Sequence, residues 1–179
     1  MPSSQKAKPH RRLFLSALSA SGALLSVTLA GCGSLLRPST PTASPVAAAP
    51  QPLSQQNRQD VVLQAMAMLD RNYSSGGKKL HTGFDCSGFV SFVYKESARL
   101  RLSGSAADLA KQTRAIDKTQ AQPGDLVFFN TLGSAFSHVG IYIGDDKFIH
   151  AENERTGVKT SNMSSRYWAQ RFEGFRGVY

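Results

Sequence analysis

The chain has 179 residues, a formal charge of +9 at pH 7 and two cysteines, Cys32 and Cys86. That length without internal repeats suits one domain plus flanking segments, and two cysteines exclude a scaffold stapled by several disulfides. The basic residues are scattered with no aromatic–basic interleaving, which argues against a nucleic-acid partner.

Residues 1–31 hold Lys6, Lys8, Arg11 and Arg12 and no acid, so +5 of the +9 belongs to the remainder. A basic start, an apolar run from Leu13 to Ala30 and small residues before a cysteine have the layout of a secretory signal peptide. Four serines and a threonine dilute the run, which weakens its reading as a plain transmembrane helix. Leu29-Ala30-Gly31-Cys32 resembles the lipobox of bacterial lipoproteins. The resemblance implies cleavage before Cys32, lipidation of its thiol and anchoring to a membrane of the cell envelope. Gly33, where Asp would signal inner-membrane retention, implies the outer membrane, facing the periplasm. Arg11-Arg12-Leu13-Phe14-Leu15 fits a twin-arginine export signal, and an ordinary basic start accounts for it equally well.

Residues 32–56 are mostly Ser, Thr, Pro, Ala and Gln. Such a stretch buries too little apolar surface to offset ordering, so a disordered tether reaching about 70 Å when extended is expected. The folded domain is expected over residues 57–179. Val61, Val62, Ala65, Met66 and Leu69 recur at helical spacing and predict a helix over Arg58–Arg71. A second helix is expected from Cys86 to about Ser97, and a shorter one over Ala106–Thr113. The period then changes. Strands are predicted at Asp125–Phe129, His138–Ile143, Lys147–Ala151, Gly157–Ser161 and Gly174–Val178, with a turn at Gly144-Asp145-Asp146. Helices followed by an antiparallel sheet give an α+β fold class.

Cys86 is the centre of this pattern. Asp85 is a suitable N-cap, which puts Cys86 at the first helical position, where the helix end favours thiolate over thiol. With Cys32 lipidated, Cys86 is a lone thiol in an oxidising compartment, where a chemical role outweighs that of a small core residue. A thiol nucleophile needs a histidine to take its proton and a group to orient the imidazole. His138 opens a strand, and Gly140 leaves room on the same face. A hairpin turn at Gly144–Asp146 sets His138 near Glu152, with His150 diagonal to it. Both His150 and Glu152 are therefore candidates for orienting His138. A zinc site from Cys86, His138 and His150 matches no ligand spacing, and neither metal nor cofactor is expected.

Four linked stretches then carry a resemblance. Asp85-Cys86-Ser87-Gly88-Phe89-Val90, Gln122-Pro123-Gly124-Asp125-Leu126-Val127-Phe128-Phe129, His138-Val139-Gly140-Ile141-Tyr142-Ile143-Gly144 and Phe148-Ile149-His150-Ala151 resemble the NlpC family of cell-wall cysteine endopeptidases, in order and spacing, across residues 57–179. The likeness is to single-domain lipoprotein members. It implies a papain-like fold, in which N-terminal helices carrying the nucleophile pack on an antiparallel sheet. It also implies hydrolysis of an amide in peptidoglycan stem peptides or cross-links, by Cys86 as nucleophile, His138 as base and acid, and His150 as third residue. Tyr73 matches the family tyrosine that lines the site, and Asp85 and Ser87 fall where members contact the stem peptide. Ser74 and Lys78-Lys79-Leu80-His81 depart from the pattern. Both a D-Ala to diaminopimelate and a D-Glu to diaminopimelate bond suit the family. A catalytically inactive wall-binding module and an acyl transfer enzyme on the same fold are the competing classes, and a monomer is expected.

Overall fold

The computed structural model describes residues 51–179. The expected signal peptide, Cys32 and the tether up to residue 50 lie outside the described residues. The first helix, α1, spans Gln55–Ala67, because Ser54 takes an extended conformation and its hydroxyl accepts the N–H of Asn57 at 3.1 Å. Leu53 is buried with the core. Ordered packing therefore starts before Asn57, a few residues earlier than the expected boundary. The helix also stops before Arg71. Asp70 takes a left-handed backbone (φ 63°), and its N–H donates to Val158 O at 2.9 Å, so residues 70–71 join a strand edge instead.

A two-stranded hairpin follows, β1 (Lys78–Lys79) and β2 (Gly83–Phe84). Helix α2 spans Cys86–Ala98 and ends at Arg99 in the left-handed region. Helix α3, Ala106–Lys111, is held by a reciprocal capping box between Ser105 and Asp108. The remaining elements are β3 (Arg114–Ile116), a 3-10 turn (Lys118–Gln120), β4 (Leu126–Phe129), β5 (His138–Gly144), β6 (Lys147–Ala151), β7 (Val158–Asn162), α4 (Arg166–Ala169) and β8 (Phe172–Gly177). β1, β2, β3 and α4 are two to four residues long, too short for a period to register in sequence.

Six strands pair antiparallel in the order β3-β8-β4-β5-β6-β7. Alternation along each strand divides the buried side chains into two cores. Leu126, Phe128, Val139, Ile141, Ile149 and Ala151 face the helices, packing with Val61, Phe89, Val90 and Val93. On the opposite face, Val127, Phe129, Phe148, Phe175 and Trp168 form an aromatic cluster. Because both faces are covered, β4 is buried at every residue and reads in sequence as a continuous apolar run.

The turn Gln122-Pro123-Gly124-Asp125 ties helices to sheet. Arg58 Nη1 of α1 meets Asp125 Oδ1 at 2.7 Å, with side-chain exposures of 11% and 1%. The other carboxylate oxygen accepts Gln122 N–H at 2.8 Å, and the Tyr94 hydroxyl of α2 donates to Gly124 O. This stretch therefore works as a structural clasp. Removing one partner of a buried ion pair leaves an uncompensated charge, at a cost of about 3 to 5 kcal/mol. Asp125→Ala is expected to lose that much stability in urea denaturation, and a loss below about 1 kcal/mol would contradict the clasp.

Candidate active site

The start of α2 is built by its neighbours. Asp85 is extended, and its Oδ1 accepts the N–H of Gly88 at 2.6 Å and the hydroxyl of Ser87 at 3.0 Å. Asp85 thus caps the helix, as its residue type predicts. Gly88 sits against the preceding loop so closely that a Cβ there would lie 2.0 Å from Gly77 O. Residues 72–74 run beside Phe84 through hydrogen bonds of 3.0 and 3.1 Å. Tyr73, Asp85, Cys86, Ser87 and Ser137 consequently line one cleft of about 450 Å³. Cys86 is a free thiol, half-buried.

His138 and His150 are brought together. His138 Nε2 lies 2.8 Å from His150 Nδ1, and His150 Nε2 lies 2.9 Å from Ser161 Oγ. His138 is 7% exposed and His150 is fully buried, with Trp168 packed on both rings at 5.4 and 4.8 Å. Gly140 is what lets His150 approach: a Cβ there would fall 2.6 Å from Phe148 Cδ2 and 3.2 Å from His150 Cβ. Glu152, the other candidate for orienting His138, is engaged elsewhere. Its Oε2 accepts from Thr156 Oγ1 at 2.7 Å and faces Lys159 Nζ at 3.6 Å.

Both histidines lie on the aromatic face of the sheet, not on the face that α2 covers. His138 is opposite Phe129 of the aromatic cluster, whereas Val139 belongs to the helix-side core. The path from the Cys86 thiol to the His138 imidazole therefore runs around the start of β5. The backbone N–H of Val139, next to His138, is near enough to Cys86 to favour its thiolate. His138 also lines a second cleft of about 420 Å³ with Thr131, Glu152, Arg155, Tyr167 and Trp168. The two clefts flank the junction of α2 with β5.

The electrostatics correct one expectation. Burial pushes the Cys86 thiol up to about 11, with the Asp85 carboxylate adding to the rise. The N–H groups of Val139, Ser87 and Cys86 pull the other way without outweighing desolvation. Burial likewise lowers His138 to about 4 against a small upward pull from Glu152, and holds His150 well below the usual range. Both shifts favour the neutral form at rest, the thiol of Cys86 and the imidazole of His138. Tyr73 keeps its proton too, its pKa raised by burial first and then by Cys86 and Asp85, so its hydroxyl is a donor at neutral pH.

Sequence reasoning missed Ser161 and Trp168. Ser161 is discoverable by register: with His150 opposite Lys159, residue 161 falls diagonal to His150 on the same face. Trp168 lies on the short α4 and carries no periodic signal. Among the described residues no group of three His, Cys, Asp or Glu side chains is placed to hold a metal, and no helix is long and apolar enough to cross a membrane.

A cysteine at a helix start and a histidine at a strand start, carried by a mixed helix and antiparallel-sheet fold, match the layout of a papain-like domain. Residues 70–177 match the model of the NlpC/P60 family, and the chain belongs to that family. It is 34% identical over 116 residues to murein DD-endopeptidase MepH of Escherichia coli, covering 63% of this chain and 43% of that one. To murein DD-endopeptidase MepS/murein LD-carboxypeptidase of the same organism it is 38% identical over 106 residues, 59% of this chain and 55% of that one. The chain thus spans about half the length of these relatives. Among solved structures, the NlpC/p60 domain of peptidoglycan hydrolase SagA superposes with a TM-score of 0.57 at 29% identity, covering 68% of this chain and 98% of that one.

A neutral resting thiol has a measurable signature. Alkylation of Cys86 by iodoacetamide is expected to be slow at pH 7 and to keep rising past pH 9, since thiolate is the reactive form. A plateau already reached below pH 7 would show a preformed thiolate instead.

Proposed function

We propose that this chain is a cell-wall cysteine peptidase that hydrolyses an amide bond in murein stem peptides or their cross-links. The observation that carries this reading is the hydrogen bond between His138 Nε2 and His150 Nδ1, on the hairpin whose first strand packs against the Cys86 helix; with Nε2 engaged, Nδ1 is the nitrogen available for the thiol proton. That two of its relatives are murein DD-endopeptidases supports the cross-link between stems as the bond cut.

In this mechanism the Cys86 proton passes to His138 Nδ1 as Sγ attacks the amide carbonyl. Because each group is neutral at rest, transfer and attack are coupled. The carbonyl oxygen takes the negative charge, with the Cys86 backbone N–H and the Tyr73 hydroxyl as donors. His138 then returns the proton to the departing amine, leaving an acyl-cysteine. Water, deprotonated by the same imidazole, attacks the thioester and releases the thiol and the new carboxylic acid. The clefts on either side accommodate the two halves of the substrate, and Asp85 and Ser87 lie in the one that holds the nucleophile.

Cys86→Ala and His138→Ala are expected to lower cleavage of defined dimeric muropeptides by about a thousandfold or more, with circular dichroism unchanged, and His150→Ala by less. Undiminished hydrolysis by purified Cys86→Ala would end this reading. A wall-binding module would bind sacculi without cleaving them, and an acyl transfer enzyme would add an amine to the acyl product, which mass spectrometry detects.

The proposal extends to location. Leu29-Ala30-Gly31-Cys32 and the following Gly33 support a lipid anchor on Cys32 in the outer membrane, facing the periplasm. The peptidase is expected to act there as a monomer on peptidoglycan. Intact-mass measurement of membrane-purified protein is expected to show a chain starting at Cys32 and carrying lipid, and an unprocessed Met1 would exclude it.

A further inference from the structure

Each hydrogen bond in the chain His138–His150–Ser161 needs one proton and one lone pair. With all groups neutral, two arrangements satisfy both links. In the first, His138 holds its proton on Nε2 and donates to His150 Nδ1, while His150 holds its proton on Nε2 and donates to Ser161 Oγ. In the second, Ser161 donates to His150 Nε2, His150 donates from Nδ1 to His138 Nε2, and the His138 proton sits on Nδ1. Only the first leaves His138 Nδ1 free to take the thiol proton.

Once that proton is taken, the choice disappears. Imidazolium at His138 carries protons on both nitrogens, so His150 Nδ1 must accept. A neutral His150 then holds its proton on Nε2, and that N–H has only Ser161 Oγ as partner, at 2.9 Å. His150 is fully buried, where an N–H without an acceptor is costly. Ser161 is half-buried, so its own hydroxyl proton can turn to solvent while the oxygen faces His150. The acceptor it supplies is optional in the resting state and obligatory in the charged one.

We propose that Ser161 is a positioning residue for the reaction: as terminal acceptor of the chain, it holds His150 as the Nε2–H tautomer and so stabilises the imidazolium that forms at His138. The inference rests on His138 acting as base in the proposed hydrolysis, but its tautomer signature can be read without substrate. An interaction made fully only in the charged state should act on kcat rather than KM.

The test uses the full chain with 15N-labelled histidine and a defined dimeric muropeptide. In the wild type, NMR should show both His138 and His150 protonated on Nε2. Ser161→Ala should shift His150 toward the Nδ1–H form and lower kcat by about ten- to a hundredfold with KM nearly unchanged. Ser161→Thr, which keeps the hydroxyl, should recover most of the rate and the wild-type tautomer. A wild-type His150 protonated on Nδ1 would overturn the proposal whether or not the variants fold. So would a Ser161→Ala enzyme that keeps its kcat, or one whose loss appears in KM alone. If the expected tautomers are present but no form of the protein cleaves muropeptides, the proposed hydrolysis fails and the role of Ser161 in setting the tautomer stands.

Discussion

The antiparallel register of β5, β6 and β7 is the constraint on which the site depends. Ile141 lies opposite Ile149, and His150 opposite Lys159. Under that pairing His138, His150 and Ser161 fall on one diagonal of one face, each within hydrogen-bonding distance of the next. A slip of one residue in either pair would put one of the three on the other face from its neighbour. The register is held by burial on both sides: Ile141, Ile149 and Ala151 pack under the helices, and Phe148 packs among the aromatics. Gly140 completes the arrangement by giving up a side chain where His150 and Phe148 need the space. Packing and chemistry therefore specify the same pairing, and neither can change alone.

Much of this was legible in the sequence because the signals are local. The alternation at His138–Ile143 and the tight turn after it define a hairpin, and a hairpin's pairing follows from its turn. That is why the approach of His150 to His138 follows from counting residues. Asp85 before an apolar helical face announces the start of α2 in the same way. What was hidden depends on partners that no periodic signal announces. Whether Glu152 or His150 orients His138 is decided by Thr156 and Lys159, which hold the carboxylate. The extent of α1 is decided by the pairing of residues 70–71 with Val158, more than eighty residues further on.

The charge state of the nucleophile shows the same division. Position at a helix start argues for thiolate, and three backbone N–H groups do favour it. Burial between α2 and the start of β5 is a tertiary property, and it carries more weight. The Gln122–Asp125 stretch is a related case. It is part of the family likeness, yet its polar groups are spent on Arg58, Tyr94 and its own turn. A stretch shared with a catalytic family can thus be a fastening and not a tool.

The proposed nucleophile and its proposed base also come from opposite layers. Cys86 belongs to α2, and the histidines belong to the β5–β6 hairpin, more than fifty positions later in the chain. The hairpin can form from near neighbours, whereas the thiol reaches Val139 only when the helical layer has docked on the sheet. Non-local contacts of this kind carry the larger loop-closure cost and tend to form late in folding. A partly folded chain with its sheet in place would hold the histidines in register yet have no partner for them. Competence for chemistry thus coincides with completed docking of the two layers, and a half-assembled molecule is inert.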